Sequence, residues 1–515
     1  MESDKTLERQ KRGTAYAKAG DYQSALAEFT QAISLQPYDA SNYHNRALVY
    51  RNLNDFQRAL DDLSKAISLQ PNYPSAYYQR GLIYFLTKEY RKAIQEFSLT
   101  ISLQKNELSA YIGRALGYFE LHEFPQAIVN LDRAIALSPK TAGQHGAYSS
   151  RAQAHAALQQ YSDALSDFEQ ALRFAPNDIA LLNHMGAACT DSGHPERSLT
   201  YYNRALELST SAPFTYNNRG EAYRLQKLYH EAIADFNRAL ELDASLATVY
   251  YNRALTLASL DMHSRALDDF HRALELNPKL ILVYADRAMS YVDLGMYQEA
   301  LTDFNHALEL DKQNMLTTYH RGTTYLWLNE IDRALQDFNK VIEQDPDSAY
   351  AYKGRGEVYL RKGDLGRARD DYQRSSELDS TQIEAHWLCA WLDMCLENYE
   401  PDIMSKRLEL IASIDPYDYH AILSFAVALL LEEKAEDALT ELYKAQTINE
   451  NDWGMLFWLA MTSGILEMDD EAFSALDSAI ISAHLPLALL APLRWFRHSR
   501  PDFYVERLLP LLEQL

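Results

Sequence analysis

Small and large apolar residues recur along this chain at a fixed spacing. With the segment Arg12 to Pro37 (RGTAYAKAGDYQSALAEFTQAISLQP) as template, the same order of positions returns every 34 residues. Eleven such units run from Thr6 to Gln382, interrupted once by three extra residues, Ala142 to Gln144. Position 8 of the unit is always Gly or Ala (Gly13, Ala47, Gly81 and their equivalents), and position 20 is Ala in ten units, with Ser198 the exception. Position 24 is always large, from Phe29 to Tyr372; position 27 is Ala in eight units and position 32 is Pro in six. Such spacing puts positions 4, 8 and 11 on one face of a helix and 20, 24 and 27 on one face of a second. The pattern predicts a helical hairpin. Small residues at 8 and 20 let the backbones approach, the tyrosines common at 11 and phenylalanines common at 24 fill the space beside them, and proline ends the second helix. One hairpin cannot bury both its faces, so the units stack and share a continuous core.

The 34-residue period, the small residue at 8, the aromatics at 11 and 24, the alanines at 20 and 27 and the proline at 32 together resemble the tetratricopeptide repeat family. The resemblance covers roughly three quarters of the chain and implies an all-α fold, a right-handed α-solenoid or superhelix of helix pairs. It also implies that the first helices line a concave groove.

After Gln382 the pattern weakens. Two extra residues, Ile383 and Glu384, are expected to precede a degenerate unit with Met404, Leu408, Ile411 and Pro416 at positions 20, 24, 27 and 32. Two more follow at 34-residue spacing, through Ala438, Leu442, Ala445 and then Ala472, Leu476, Ala479. Their first helices replace the upstream Tyr and Arg with Trp387, Trp391, Trp453 and Trp458. The expected organisation is a block of four repeats in 1–141 (from residue 6), the insertion with repeats five and six in 142–212, and five repeats in 213–382. Degenerate repeats fill 383–486, and a helical cap fills 487–515.

Position 7 is Arg in ten of the eleven units and position 23 is acidic in nine. Unit six loses both together, with Met185 and Tyr201. A row of guanidinium groups could bind an anionic ligand, but the joint loss points to partners within one hairpin or across neighbours, an ion-pair ladder that holds repeat register. Unit six also carries Cys189 at position 11, Ser198 at 20 and Thr210 at 32, which predicts a softer joint around 142–212.

Composition narrows the function. The 515 residues carry a formal net charge of −23, which disfavours nucleic acid and anionic membrane as partners. Three cysteines rule out a disulfide framework and fit a reducing, cytoplasmic setting, and the charged start MESDKTLERQ is not a secretory leader. Gly (18) and Pro (16) are scarce while Tyr reaches 35, as expected of a unit that places Tyr at positions 4 and 11 and needs few turns. No Gly-rich phosphate loop, GxSxG or HExxH occurs, so neither enzyme chemistry nor a cofactor is indicated. His386, Cys389 and Cys395 lie close in sequence, but their spacing on one helix does not give a tetrahedral metal site. The basic clusters Arg361, Lys362, Arg367, Arg369 and Arg494, Arg497, Arg500 are short; the first reads as a solvated helix face, the second as part of the cap. RNA binding is the reading they would support.

The resemblance implies that groove side chains come from positions 2, 5, 6, 9, 12 and 13 of the first helices. Units three and four place Tyr78, Leu82, Phe85, Ile112, Leu116 and Phe119 there. Units eight to ten place Tyr251, Leu255, Leu282, Met289, Leu316, Tyr319 and Trp327. Both sets are apolar and aromatic with a thin polar edge, the composition of a partner surface. The cochaperone-type carboxylate clamp is not matched: position 9 is never Asn, and Lys353 is the sole lysine at position 5. The asparagine ladder of glycosyltransferase-linked relatives is not matched either, since only Asn45, Asn218 and Asn252 occupy position 6. What remains is a non-enzymatic scaffold that captures an extended peptide or amphipathic helix of another protein, or a regulatory subunit that senses one. Self-association would run through the terminal repeats.

Overall fold

The 34-residue frame of the sequence is also the frame of the helices. First helices Ala40–Asn52, Pro74–Leu86 and Leu108–Glu120 each start at position 1 and span 13 residues. Their partners Phe56–Leu69, Tyr90–Leu103 and Phe124–Leu137 span 14. The computed structural model describes residues 2–144, 146–396, 401–415, 417–432 and 434–482, and among them finds 29 helices and no strand. Two compact units divide the chain, Met1–Thr256 and Leu257–Leu515. Within each, consecutive helices pack in antiparallel pairs and the pairs stack.

The turn inside every hairpin is built the same way. Position 15 has positive φ in all eleven units, at Gly20, Gly193, Gly295 and Gly363 but also at Asn54, Lys88, His122, Gln159, Lys227, Asp261 and Asn329. That left-handed residue ends the first helix, and the next N–H bonds back to the carbonyl at position 11, as in Asp55 N to Tyr50 O at 2.9 Å and Glu89 N to Tyr84 O at 2.8 Å. The short turn explains how the chain manages with so few glycines.

Packing within the hairpin is a fit between positions 8 and 24. A Cβ added to Gly81 would stand 2.9 Å from the Phe97 ring, and one on Gly186 only 2.4 Å from Tyr202. Where position 24 is Leu (Leu63, Leu131) position 8 is Ala (Ala47, Ala115), and where it is Tyr (Tyr202, Tyr372) position 8 is Gly. Phe at position 24 meets either Gly or Ala, so position 8 compensates the extremes of size, as close-packed interiors that tolerate neither voids nor overlap require.

The inserted residues are not a loop. They complete a short helix, Pro139–Gln144, in which Ala142 is fully buried and Gly143 lies so close to Phe174 that a Cβ would fall 2.3 Å from its ring. Gly146, with φ +74°, opens the first helix of unit five, Ala147–Ala157.

Downstream the frame differs from the sequence expectation. The helix Ile383–Cys395 begins directly at the 34-residue spacing, so Ile383 and Glu384 belong to it. The two-residue excess instead falls between Cys395 and the next helix, Pro401–Ile414, where five residues replace the usual three. Helix length is set by the pairing of the hairpin, so the connection absorbs the insertion. The first helices Tyr419–Leu431 and Trp453–Ile465 are apolar on nearly every side, and Gly454 to Gly464 are all buried. Pro416, the side chains of Met404 and Cys395, and the segment 487–515 with Arg494, Arg497 and Arg500 lie outside the described residues. Among those described, no helix is long and apolar enough to cross a membrane.

Candidate functional site

The arginine row is an internal device. Arg46 forks onto Asp62 through Nε and Nη2, both at 2.8 Å, and Arg219 forks onto Asp235 at 2.7 Å twice. Arg287–Asp303 and Arg355–Asp371 repeat the geometry. The third nitrogen, Nη1, reaches back to position 25 of the preceding unit: Arg46 to Thr30, Arg219 to Asn203, Arg321 to Asn305, Arg355 to Asn339. Tyrosines at positions 4 and 11 flank the guanidinium, with Tyr216 and Tyr223 centred 5.6 and 5.8 Å from Arg219. The tyrosines therefore do more than fill space; they hold the cation between aromatic rings. Hydrogen bonding to the aspartates outweighs desolvation and holds Arg46, Arg219, Arg321 and Arg355 above the usual guanidinium range. Each arginine is thus committed on several sides, which leaves little for an external anion.

Three rungs depart from the pattern. Arg80 makes one bond to Glu96 at 2.8 Å, and Arg80 Nε and Glu96 Oε2 are buried without a partner among the described residues, because the longer Glu cannot present the fork that Asp does. Arg114 meets the neutral Asn130 at 2.8 Å. In unit one Arg12 does not pair with Glu28: it turns to Glu8 one helical turn back, and Arg9 takes Glu28 at 2.9 Å. Unit six fills the gap with buried Met185 and half-buried Tyr201, and burial pushes the Cys189 thiol up. The cluster at 361–369 is ion-paired rather than merely solvated: Arg361 with Glu357, Lys362 with Asp332, Arg367 with Asp364, and Arg369 with the buried Asp393 at 2.7 Å.

The expected groove residues are divided between the two compact units. Ile112 is 8% exposed and belongs to a core cluster with Ala115 and Leu131, so it is not a groove residue; position 5 there turns inward. Tyr78, Leu82, Phe85, Leu116 and Phe119 are half-buried. Tyr78 packs on Phe97, Phe85 on Tyr90 and Phe119 on Phe124, at centroid distances of 5.7, 5.4 and 5.3 Å. Tyr251 and Leu255 lie in the first compact unit and Met289, Tyr319 and Trp327 in the second. Met289 packs against Ala288, Ala300 and Phe304, and Tyr319 against Phe338 and Tyr350.

An exposed apolar register does occur in the second unit. Position 2 of units nine, ten and eleven carries Leu282, Leu316 and Tyr350, exposed by 62%, 67% and 58%. Trp327, at the far end of the helix that Leu316 begins, is 64% exposed and lies parallel to the ring of Tyr297. Tyr350 was not among the expected residues, although the shared position 2 would have found it.

Glu384, at position 2 of the next first helix, lines a cavity of about 610 Å³. Trp327, Trp387, Trp391 and Trp453 contribute its aromatic walls, with Leu326, Leu360 and Leu388 between them. Glu357, Glu384 and Asp452 line it as well, against one lining guanidinium, Arg361. Arg361 is engaged, donating Nε to Glu357 and Nη1 to the carbonyl of Leu326 at 2.7 and 2.8 Å. Glu384 is paired with Lys353, and Asp452 caps its helix by accepting from Met455 N at 2.9 Å. Trp391 is 1% exposed, meets Trp453, Phe457 and Trp458 edge-on, and its Nε1–H has no acceptor among the described residues. Among the described residues no cluster of three or more His, Cys, Asp or Glu could hold a metal ion.

Comparison with known proteins agrees with the repeat frame. Models described as tetratricopeptide repeat match residues 9–39, 74–107, 145–178, 213–246, 247–280, 281–314 and 319–382, and one described as TPR repeat matches 48–88. No curated protein sequence matches. Among solved structures, the APC/C hetero-tetramer Cut9–Hcn1 is 14% identical with a TM-score of 0.42, over 82% of this chain and 96% of that one. YrrB, titled a TPR protein with an unusual peptide-binding site, is 24% identical with a TM-score of 0.30, over 36% of this chain and 95% of that one. A tetratricopeptide repeat protein from Parabacteroides merdae is 21% identical with a TM-score of 0.38, over 52% of this chain and 98% of that one. Three of the five repeat models fall on single helix pairs, the five together cover more than half of the residues, and the chain belongs to the tetratricopeptide repeat family.

Proposed function

We propose that this scaffold for protein interaction acts without catalysis and binds an extended peptide or amphipathic helix of another protein along the first helices of units nine to eleven. The observation that carries the reading is the exposed register of Leu282, Leu316 and Tyr350. Apolar side chains exposed at one register on successive helices cost solvation free energy in the free protein and are relieved when a partner covers them. An acidic surface of net charge −23 turns such a groove away from nucleic acid and anionic lipid and suits a cytoplasmic protein partner. Panning a displayed random-peptide library tests the reading. Selected peptides should lose at least tenfold in affinity against Leu316→Glu or Tyr350→Glu, and peptides that bind both variants as well as the parent chain would overturn it.

Unit six is the proposed weak joint of the stack, because it has lost a rung of the ladder and replaces alanine with Ser198 at the helix contact. Amides of 179–212 should exchange faster than those of units five and seven. Equal protection across the three units would remove the joint.

A further inference from the structure

We propose that the tryptophan-walled cavity of the second unit receives an arginine side chain from the partner. The inference rests on the reading above only in taking a protein as the source of that arginine.

The cavity combines two kinds of surface that rarely suit one ligand. Indole faces favour something flat and weakly hydrated, while Glu357, Glu384 and Asp452 outnumber by one the cations beside them, Arg361 on Glu357 and Lys353 on Glu384. An apolar side chain would satisfy the indoles but would strip water from the carboxylates without compensation. An acidic side chain would meet like charge. A guanidinium meets both demands, since its faces stack on aromatic rings and its edge donates to carboxylates.

The protein already uses this chemistry inside its repeats. At Arg219 the guanidinium lies between Tyr216 and Tyr223 and forks onto Asp235. The cavity offers the same ingredients, aromatic faces with carboxylates beside them, at the point where units twelve to fourteen have lost their own position-7 arginine to Cys389, Phe425 and Leu459. Its resident cation, Arg361, is occupied by Glu357 and by the carbonyl of Leu326.

Two further features point to a ligand that is part of a peptide. The buried Nε1–H of Trp391, a side chain that lines the cavity, lacks an acceptor among the described residues. The exposed register also runs on to the cavity, because Glu384, which lines it, stands at position 2 of the first helix after Tyr350. A segment lying over Leu316 and Tyr350 would carry its next side chains toward the carboxylates.

The experiment uses the full chain and three capped peptides, acetyl-Gly-Arg-Gly-amide and its citrulline and lysine counterparts, titrated by tryptophan fluorescence and calorimetry. Citrulline keeps the shape of arginine and removes its charge. The arginine peptide should bind at least tenfold tighter than the citrulline peptide and severalfold tighter than the lysine peptide. The double variant Glu384→Gln, Asp452→Asn, which keeps a helix-capping side chain at 452, should reduce the arginine-to-citrulline ratio to about one. No binding, an equal ratio in the parent chain, or an equal affinity for lysine would overturn the proposal. Leu316→Glu separates the two readings: it should abolish library-selected binding while leaving the arginine-to-citrulline ratio of the tripeptides intact.

Discussion

Units nine to eleven and units twelve to fourteen solve one packing problem with different chemistry. In the former, first helices such as Ile281–Asp293 and Met315–Trp327 bury one face, expose position 2, and are locked to their partners by Arg–Asp forks. In the latter, Trp453–Ile465 is buried from Gly454 to Gly464, and contacts among Trp387, Trp391, Phe457 and Trp458 take the place of the forks. Apolar contact supplies cohesion without direction, whereas a bidentate ion pair supplies direction with modest cohesion. The difference predicts that the last units are held by volume and the regular ones by register.

The largest expected effect is therefore a truncation in the aromatic block. Phe457→Ala removes a ring that is 1% exposed and should cost about 3–5 kcal/mol. Because repeats couple mainly to their neighbours, hydrogen exchange should accelerate across 383–482 and stay unchanged in 281–314. Loss of protection over the whole second unit would blur the distinction between the two blocks.

A smaller effect is expected at a fork. Asp337→Ala leaves Arg321, whose side chain is 20% exposed, without its carboxylate, and should cost about 2–3 kcal/mol. Replacing both, with Arg321→Met and Asp337→Leu, should recover most of that loss in denaturant titrations. Losses that simply add would show that the two side chains do not act as a pair.

A milder change acts on pH. Burial holds His44, His184 and His320 below the ordinary imidazole value of 6.5. Unfolded chains then bind more protons than folded ones below that value, so stability should be complete above pH 6.5 and fall as pH drops through the lowered folded values. His320→Gln should flatten this dependence in the regular block, while the aromatic block keeps its own melting behaviour.

Below these in size lies a gain. Lys227 holds a left-handed conformation at position 15, and Lys227→Gly should raise stability by about 0.5–1 kcal/mol in a thermal melt.

Much of the fold was legible from the period alone, since steric fit at positions 8 and 24 leaves a trace in residue size. The acidic partner at position 23 was legible for a similar reason: the charge must be there. The acceptor at position 25 was not, because Thr30, Ser64, Ser98, Asn203 and Asn237 preserve only the capacity to accept a hydrogen bond. The left-handed turn hid behind seven residues that are not glycine. Nor could spacing foretell the cavity. Its tryptophans were plain in the sequence, but they come from units ten, twelve and fourteen at unrelated positions, and only the stacking brings them to one place. Ile112 failed as a groove residue because position 5 can face either the groove or the neighbouring hairpin, and in unit four it faces the neighbour.

The backward reach of each arginine gives the stack a grammar with a front and a back. Arg219 is complete only when Asn203 stands before it, yet nothing in the following unit is needed to finish it. Shortening the chain from its end removes whole clauses, while shortening it from its beginning leaves the first surviving arginine with an unanswered donor. Among the described residues, the first unit shows what such an arginine does: Arg12 leaves the shared rule and settles on Glu8 within its own helix.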